Sequence, residues 1–227
     1  MIKVRSFPEV LGPYFVFPGK AIVDVGCGTG DLVRWLTKQG ARVVGVDTAA
    51  MIARAEQDPQ VGDESYLVGS AEGLDFENGS RDLLTYFASL HHVPRNEMSR
   101  ALEKCHGILK PGGAAVFLEP LAEEGSYYDI VRLVDDETEI RALAYDAIKA
   151  AVSSGFKPTT EELFYVEQSF PDYLAILEVS VDYAGLRAEI VAAARAEAER
   201  RGRERGESLE AVRFKSICRL NILEKTA

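Results

Sequence analysis

The sequence predicts an α/β fold in which helices cover both faces of a mostly parallel sheet. Mostly apolar runs at 21–25 and 41–46 are typical of buried parallel strands, because neither run shows the polar–apolar alternation of a half-buried strand. Amphipathic helical patterns separate such runs, and this alternation of strand and helix favours parallel crossover units. With 227 residues, 47% of them hydrophobic, the chain suits one globular unit. We expect a single domain over 1–227.

A glycine-rich turn, Gly26-Cys27-Gly28-Thr29-Gly30, follows the first predicted strand, and Asp31 then begins an amphipathic helix. Glycine tolerates positive φ and lets a ligand approach the backbone, while the helix N-terminus offers free N–H groups. The turn is therefore expected to bind a nucleotide-type ligand. A dinucleotide fingerprint starting at Gly26 needs glycine or alanine at position 31, and the carboxylate of Asp31 would repel a pyrophosphate. The spacing thus favours a ligand with an ammonium group and no phosphate over NAD or FAD.

The charge and the cysteines limit the expected partners. A net charge of −10 disfavours nucleic acids and anionic membranes, so the expected partner is a small molecule, with no nucleic acid and no membrane. The three cysteines, Cys27, Cys105 and Cys218, lie far apart without a CxxC pair, which predicts neither a disulfide framework nor a metal site. We find no leader pattern and no run approaching about 18 apolar residues. These features predict a cytoplasmic protein.

Four segments carry a family resemblance. The run VDVGCGTG at 23–30 resembles the first motif of class I S-adenosylmethionine-dependent methyltransferases, and SAEGLDF at 70–76 resembles their adenine-binding turn. LHHV at 90–93 is similar to a segment of small-molecule methyltransferases of the ubiquinone and menaquinone biosynthesis type, and LKPGG at 109–113 precedes an apolar strand as in the family. The resemblance implies S-adenosyl-L-methionine as cofactor. It also implies a doubly wound (Rossmann-like), seven-stranded, mostly parallel sheet with an antiparallel last strand and a helical insertion before it.

The resemblance also implies which residues bind the cofactor. Asp47 ends the second strand, where a doubly wound fold places an acid that binds ribose hydroxyls; alternatively, it caps the helix that starts at Thr48. Ser70 stands where many relatives have aspartate, so Ser70 and Glu72 are both candidates for reading the adenine edge. The predicted cofactor-binding residues are Asp24, Gly26, Cys27, Gly28, Asp47, Thr48, Ser70, Ala71, Glu72, Phe87 and Ala88.

The predicted catalytic residues are His92 and His91, which follow the fourth strand at the rim of the expected crevice. A histidine could act as general base for a phenol or enol acceptor. His92 matches the usual histidine of the family segment, which in relatives often only lines the cofactor site. The expected function is methyl transfer to a small, apolar or aromatic metabolite by in-line displacement. The alternatives are a cofactor-binding homologue without transfer activity and a nucleic-acid methyltransferase, which the acidity disfavours.

Three less patterned regions remain open at this stage. The aromatic segment 1–20 is either a strap on one end of the sheet or a lid over the site. Helical patterns in 171–212 predict a cap insertion or a dimer face, so a homodimer is one arrangement left open. Tyr127 and Tyr128 are candidates for the substrate wall or for plain packing. Cys105 is expected in the core and His106 on a solvated helix face.

Overall fold

The computed structural model describes residues 7–122, 128–170, 188–205 and 212–226. These residues fall into two compact units. The sheet unit contains 7–120, 140–163 and 219–226, and the accessory unit contains 121–122, 128–139, 164–170, 188–205 and 212–218. That the chain is one domain stays a prediction.

Within the described residues, seven strands form one sheet. They are β1 (Ala21–Val25), β2 (Arg42–Asp47), β3 (Ser65–Val68), β4 (Arg81–Phe87), β5 (Leu109–Pro120), β6 (Phe156–Phe170) and β7 (Val212–Lys225). Their order is β3-β2-β1-β4-β5-β7-β6, and the first five pair in parallel. The last two strands are antiparallel additions, as hydrogen bonds from Thr226 N–H to Gly155 O and from Thr159 Oγ1 to Ile222 O indicate. The predicted fold class is confirmed.

The described residues contain seven α-helices, and hydrophobic spacing predicts all of them except the two short ones at 7–11 and 128–131. They are α1 (Phe7–Leu11), α2 (Asp31–Lys38), α3 (Ala49–Ala55), α4 (Met98–Ile108), α5 (Tyr128–Val131), α6 (Thr138–Ala150) and α7 (Ala188–Arg205). In α4 the residues at helical spacing are the buried ones, Met98, Ala101, Leu102, Cys105 and Ile108. Among the residues that the structure describes, no helix is both long and apolar enough to span a bilayer.

The core of the sheet unit lies between the central strands and the helices α4 and α6. Tyr86 and Phe117, on neighbouring strands, stack with ring centroids 5.0 Å apart and are fully buried. Cys105 is fully buried, as expected. His106 differs from the expectation of a solvated position, because its ring packs edge-on to Phe156 at 5.0 Å and is half-buried.

Two strands begin earlier than their apolar patterns indicate. β5 begins at Leu109 rather than at Ala114, because the LKPGG segment pairs with β4 through a register irregularity instead of simply ending the helix. Gly113 permits this pairing, since a Cβ there would lie 3.0–3.2 Å from three carbonyl oxygens. β6 begins at Phe156 rather than at Glu162; its first residues are mostly exposed and polar, as an edge strand allows.

The segment before β1 packs at the amino ends of β1 and β2. Phe17 contacts Trp35 of α2 edge-on at 5.4 Å, and the Gly19 N–H donates to the Gly40 carbonyl at 2.7 Å. These contacts lie opposite the carboxyl ends of the strands, where the glycine-rich turn is found. They favour the strap over the lid for residues 14–20, whereas 1–6 lie outside the described residues.

The accessory unit holds the described part of the predicted cap insertion. In α7, Ala194 and Ala198 are fully buried, and Arg201 pairs with Glu197 at 2.9 Å and with Asp129 at 3.7 Å. Residues 171–187 and 206–211 lie outside the described part, and the role of the insertion as a cap or dimer face stays a prediction.

The tyrosine pair after β5 is described in part. Tyr128 is 1% exposed and its hydroxyl donates to Asp136 at 3.1 Å, which favours packing within the accessory unit over a place in a substrate wall. Tyr127 lies outside the described residues.

The fully buried Leu84 of β4 offers a test of the core. Replacing Leu84 with alanine should lower the free energy of unfolding by about 2–5 kcal/mol, because a close-packed site cannot fill the cavity. Leu67 of the edge strand β3 is 48% exposed, so Leu67→Ala is the matched control. It should change the free energy of unfolding by about 0.5 kcal/mol. Urea unfolding measures both variants. Equal losses would contradict this account of the core.

Candidate cofactor site

A pocket opens in the sheet unit at the carboxyl ends of β1, β2 and β4. β1 and β4 are neighbours at the point where the strand order reverses, which is where open α/β sheets bind ligands. The pocket is partly open to solvent. Its lining residues are Val25, Gly26, Val46, Asp47, Thr48, Gly69, Ser70, Ala71, Glu72, Ser89, His92, Val93 and Pro94.

Gly26 is required by the contact between the turns that follow β1 and β4. Its φ is +74°, and a Cβ built on it would lie 2.3 Å from Cβ of Ser89. Ser89 in turn donates through Oγ to the Val25 carbonyl at 2.6 Å. Ala88, one residue earlier, has a φ of +50°, which a residue with a side chain rarely adopts. The backbone of the first turn thus packs against a side chain of the second. The positive φ of Ala88 is a backbone strain of the kind that often occurs at functional sites.

Asp47 connects the end of β2 to the glycine-rich turn. Its Oδ2 accepts the Gly28 N–H at 2.8 Å and its Oδ1 accepts the Thr48 N–H at 2.6 Å. Thr48 itself caps α3, because its Oγ1 accepts the Met51 N–H at 3.5 Å. A carboxylate oxygen can accept more than one hydrogen bond, so Asp47 retains capacity to bind a ligand hydroxyl in the pocket that it lines.

Asp24 lies beneath the turn rather than on the pocket wall. It is 2% exposed, and Thr85, its register partner on β4, donates to Oδ1 at 2.7 Å. Burial raises the pKa of Asp24 to about 7, and the negative charge of Asp47 acts in the same direction, while the Thr85 hydrogen bond opposes both. Asp24 therefore exchanges its proton near neutral pH in the folded protein.

Cys27 is buried in the same turn, and its thiol is unreactive. Burial raises the pKa of its thiol, and the negative charges of Asp24 and Asp47 raise it further. Because only the thiolate is a good nucleophile, Cys27 contributes packing and backbone geometry rather than chemistry.

The predicted adenine-binding turn lies on the pocket wall. Ser70 is exposed, Ala71 is buried and Glu72 is half-buried, and all three line the pocket. Both Ser70 and Glu72 thus remain candidates for reading the adenine edge. Phe87 and Ala88 do not line this pocket, and the Ala88 N–H donates to the Leu118 carbonyl at 2.7 Å.

The structure separates the two adjacent histidines. His92 is exposed and lines the pocket. His91 is 4% exposed, and its Nδ1 forms a short hydrogen bond with Oε2 of Glu119. The two rings remain close, with centroids 4.1 Å apart.

The charge of the pocket selects among ligands. Of the described lining residues, Asp47 and Glu72 are acidic, and His92 is the one residue that can carry a positive charge. Such walls suit an ammonium or sulfonium group and disfavour a pyrophosphate, which is usually met by helix N-termini and basic side chains. The glycine-rich turn is open at Gly28, where a Cβ would meet nothing within 4 Å, and Asp47 supplies an acceptor for hydroxyls. The residues present therefore fit S-adenosylmethionine.

Sequence reasoning places the segment 89–94 at the rim of the crevice, where Ser89, Val93 and Pro94 line the pocket, but it missed Gly69, Thr85 and Glu119. Glu119 carried a usable signal, since it is an acid near the carboxyl end of a predicted strand, as Asp47 is. The roles of Thr85 and Ser89 follow from strand register and close approach, for which a single sequence holds no signal.

Comparison with known proteins agrees with this architecture. A putative methyltransferase from Bacillus halodurans aligns over 96% of this chain and 98% of its own, with a TM-score of 0.65 and 16% identity. The YcgJ protein from Bacillus subtilis aligns over 96% of this chain and 97% of its own, with a TM-score of 0.66 and 17% identity. At these identities the likeness shows the fold.

Sequence relatives match the part of the chain that holds the pocket. An uncharacterized methyltransferase from Synechocystis is 34% identical over 98 residues, which are 43% of this chain and 46% of the relative. A ubiquinone biosynthesis O-methyltransferase from Nitrosococcus oceani is 37% identical over 103 residues, 44% of this chain and 43% of the relative. The matches thus span less than half the length of these curated relatives.

The strand order, the glycine turn and the acidic pocket define a doubly wound domain that binds a nucleoside-type cofactor. Residues 23–117 match the family model described as a methyltransferase domain. Over these residues the chain is similar to that family, and the similarity indicates S-adenosyl-L-methionine as the cofactor.

The contact between Gly26 and Ser89 predicts a specific steric effect. Gly26→Ala should lower the free energy of unfolding by several kcal/mol, since the new Cβ meets Ser89 at 2.3 Å. Gly28→Ala is the matched control. The φ of Gly28 is also positive, at +54°, but nothing lies within 4 Å of the added Cβ, so this variant should lose only about 1–2 kcal/mol of unfolding free energy.

Adding Ser89→Gly to Gly26→Ala removes the colliding Cβ and should recover part of the loss in urea unfolding. Equal losses for the two single variants, without recovery in the double variant, would contradict the steric account.

The buried Asp24 predicts that stability falls as pH rises. Its pKa is about 7 in the folded protein, against a usual 3.8, so the folded state keeps a proton that the unfolded chain releases. The stabilising effect is complete at low pH and is lost as pH rises through 7. The slope is at most about 1.4 kcal/mol per pH unit and halves near pH 7, where Asp24 is half ionised, so the free energy of unfolding should fall by about 2 kcal/mol between pH 5 and pH 7. Asp24→Asn should lack this component, and parallel urea-unfolding profiles of the two proteins across this range would refute it.

Proposed function

We propose that this chain is an S-adenosylmethionine-dependent methyltransferase that acts on a small, apolar or aromatic metabolite. The observation that carries the proposal is the pocket at the switch point of the sheet. Gly26 and Gly69 line it, and its walls are acidic at Asp47 and Glu72. This combination suits a cationic nucleoside ligand that lacks phosphate.

Each part of the site has a role in this proposal. Asp47 accepts hydrogen bonds from the ribose hydroxyls, and the backbone of Gly26 and Gly28 lies against the amino-acid portion, with Asp24 beneath it. Ser70 and Glu72 face the adenine. The remaining cofactor residues hold the turns in place: Cys27, Thr48, Ala71, Phe87 and Ala88. When bound, the cofactor supplies a methyl group made electrophilic by the sulfonium, so the chain mainly has to orient the acceptor and exclude water.

A small-molecule acceptor fits the overall charge and the relatives. The net charge of −10 disfavours a polyanionic partner, and several partial relatives are named ubiquinone biosynthesis O-methyltransferases. A hydroxyl on an aromatic ring is therefore the first acceptor class to test. The cytoplasmic location and the homodimer stay predictions.

Calorimetric titration tests the cofactor. S-adenosylhomocysteine should bind with micromolar Kd, whereas NADH should not bind. Asp47→Ala should weaken binding by about 10-fold or more, since a hydrogen bond to a charged group contributes about 1.5–3 kcal/mol. Asp75→Ala, which removes an exposed carboxylate close to the adenine-binding turn in sequence, is the matched control and should bind normally. An unchanged Kd for S-adenosylhomocysteine in Asp47→Ala would contradict the assignment of this pocket as the cofactor site.

Turnover separates an enzyme from a cofactor-binding homologue. Release of S-adenosylhomocysteine from S-adenosylmethionine should require an added acceptor, with catechol, other phenols, amines and thiols as small molecules and transfer RNA as a nucleic acid. Phenols should give the highest rate. Intact cofactor binding without turnover on any acceptor would favour the binding homologue, and turnover on RNA alone would favour the nucleic-acid enzyme.

A further inference from the structure

Basic side chains cluster at the amino ends of the central strands, at the edge of the sheet opposite the cofactor pocket. Arg42 begins β2 and Arg81 begins β4. Lys20 directly precedes β1, and Lys110 is the second residue of β5. The whole chain has a net charge of −10, so this concentration of positive charge at one end of the sheet needs a local reason.

Asp82 provides the carboxylate that pairs with the two lysines of this cluster. Its side chain accepts the Ala21 N–H at 2.9 Å and pairs with Lys110 at 2.8 Å and with Lys20 at 3.4 Å. Although burial opposes ionisation, the hydrogen bonds from Lys110 and Ala21 hold the pKa of Asp82 below its usual value. Among the described residues, neither arginine of the cluster forms an ion pair with a carboxylate.

Arg81 is the cation whose charge is least compensated. Its guanidinium lies over the ring of Phe76, 4.5 Å from the centroid, and its side chain is half-buried. Its Nε is buried and has no hydrogen-bond partner in the described part of the chain. Burial lowers the pKa of Arg81, and the positive charge of Arg42 lowers it further. A charged donor that loses hydration and gains no acceptor is costly, which indicates that an anion is missing from this place.

The two arginines stand on either side of the same strand. β1 lies between β2 and β4 and pairs with both. Neighbouring strands are about 4.8 Å apart, so a point at the end of β1 lies about 5 Å from either arginine backbone, which is within the length of an arginine side chain. Nη2 of Arg42 donates to the Gly19 carbonyl at 3.4 Å, so this guanidinium turns toward the end of β1. A ligand there is within reach of both side chains.

We propose that Arg42 and Arg81 form a binding site for a phosphate group at the amino ends of β2 and β4, with Lys20 and Lys110 at its margin. Guanidinium groups bind phosphate oxygens through paired hydrogen bonds, and the double negative charge of a phosphate monoester offsets two cations. The phosphate comes either from free phosphate or from the headgroup of a lipid such as phosphatidic acid. One phosphate group needs only local positive charge, so this site is compatible with the acidity of the whole chain.

Calorimetric titration with inorganic phosphate tests the site, at constant ionic strength and with chloride as the reference anion. The wild type should bind with a Kd of about 1 mM or lower. Arg81→Met and Arg42→Met should each weaken binding by about 10-fold or more, because each removes charge-assisted hydrogen bonds. Methionine keeps an unbranched apolar side chain over Phe76. Arg54→Met removes an exposed arginine of α3 and is the matched control, which should bind phosphate normally.

NMR of the arginine side chains gives a second measurement that needs no variant of the site to fold. In the wild type labelled with nitrogen-15, phosphate should shift the Nε–H signals of Arg42 and Arg81 and leave that of Arg54 in place. The signals are assigned by correlation with the backbone. Shifts confined to other arginines, or an equal Kd for phosphate in the wild type and in folded Arg81→Met, would overturn the proposal.

Sedimentation with vesicles distinguishes the two sources of the phosphate. Vesicles of phosphatidylcholine that contain phosphatidic acid should carry down the wild type and Arg54→Met, but not Arg81→Met, where the lipid headgroup is the ligand. Phosphate binding without sedimentation identifies free phosphate. Absence of both, or sedimentation that Arg54→Met weakens as much as Arg81→Met does, would contradict the site. The site lies away from the cofactor pocket, so Arg81→Met should keep the Kd for S-adenosylhomocysteine, and a wild type that fails to bind S-adenosylhomocysteine would contradict only the proposed function.

Discussion

The close approach of the turns after β1 and β4 is the constraint on which the site depends. Parallel pairing of these two strands brings Gly26 against Ser89, and a glycine without a Cβ is what allows the contact. The Ser89 hydroxyl then bonds the Val25 carbonyl, so the end of β1 is held from the β4 side. From the other side, Asp47 holds the same turn through the Gly28 N–H. The pocket floor is therefore defined by backbone that three strands hold in common.

This arrangement places the carboxyl groups of Asp24 and Asp47 close to one small turn. In the absence of a cation, their mutual repulsion raises the free energy of the ionised site. Asp47 takes hydrogen bonds from two backbone N–H groups, whereas Asp24 is buried with Thr85 and has a pKa raised to about 7. A cationic ligand above the turn would favour the ionised form of Asp24 and so lower its pKa again. By linkage, such a ligand would bind more tightly as Asp24 loses its proton. The acidity of the site is thus matched to the charge of S-adenosylmethionine rather than to stability alone.

The sequence predicts the doubly wound half of this fold well, because its signals are local. An apolar run, three glycines and Asp31 follow one another in the sequence and predict β1, the turn and α2. Asp47 predicts the end of β2. Boundaries fail where the decisive interaction is distant. β5 begins at Leu109 because it pairs with β4 across an irregular register, and His106 is half-buried because Phe156 of a remote strand packs on it. Neither contact has a local pattern that could predict it.

The adjacent histidines illustrate the limit for the site itself. A sequence places His91 and His92 together, but a 3-10 turn rotates successive side chains by about 120°, so neighbours point to different surroundings. His92 faces the pocket, whereas His91 faces Glu119, and the identity of that partner depends on β5 lying beside β4. Matching of His92 to a family segment therefore says little about which ring acts as a base. The structure places His92 on the pocket wall, whereas the buried His91 is hydrogen-bonded to the carboxyl group of Glu119.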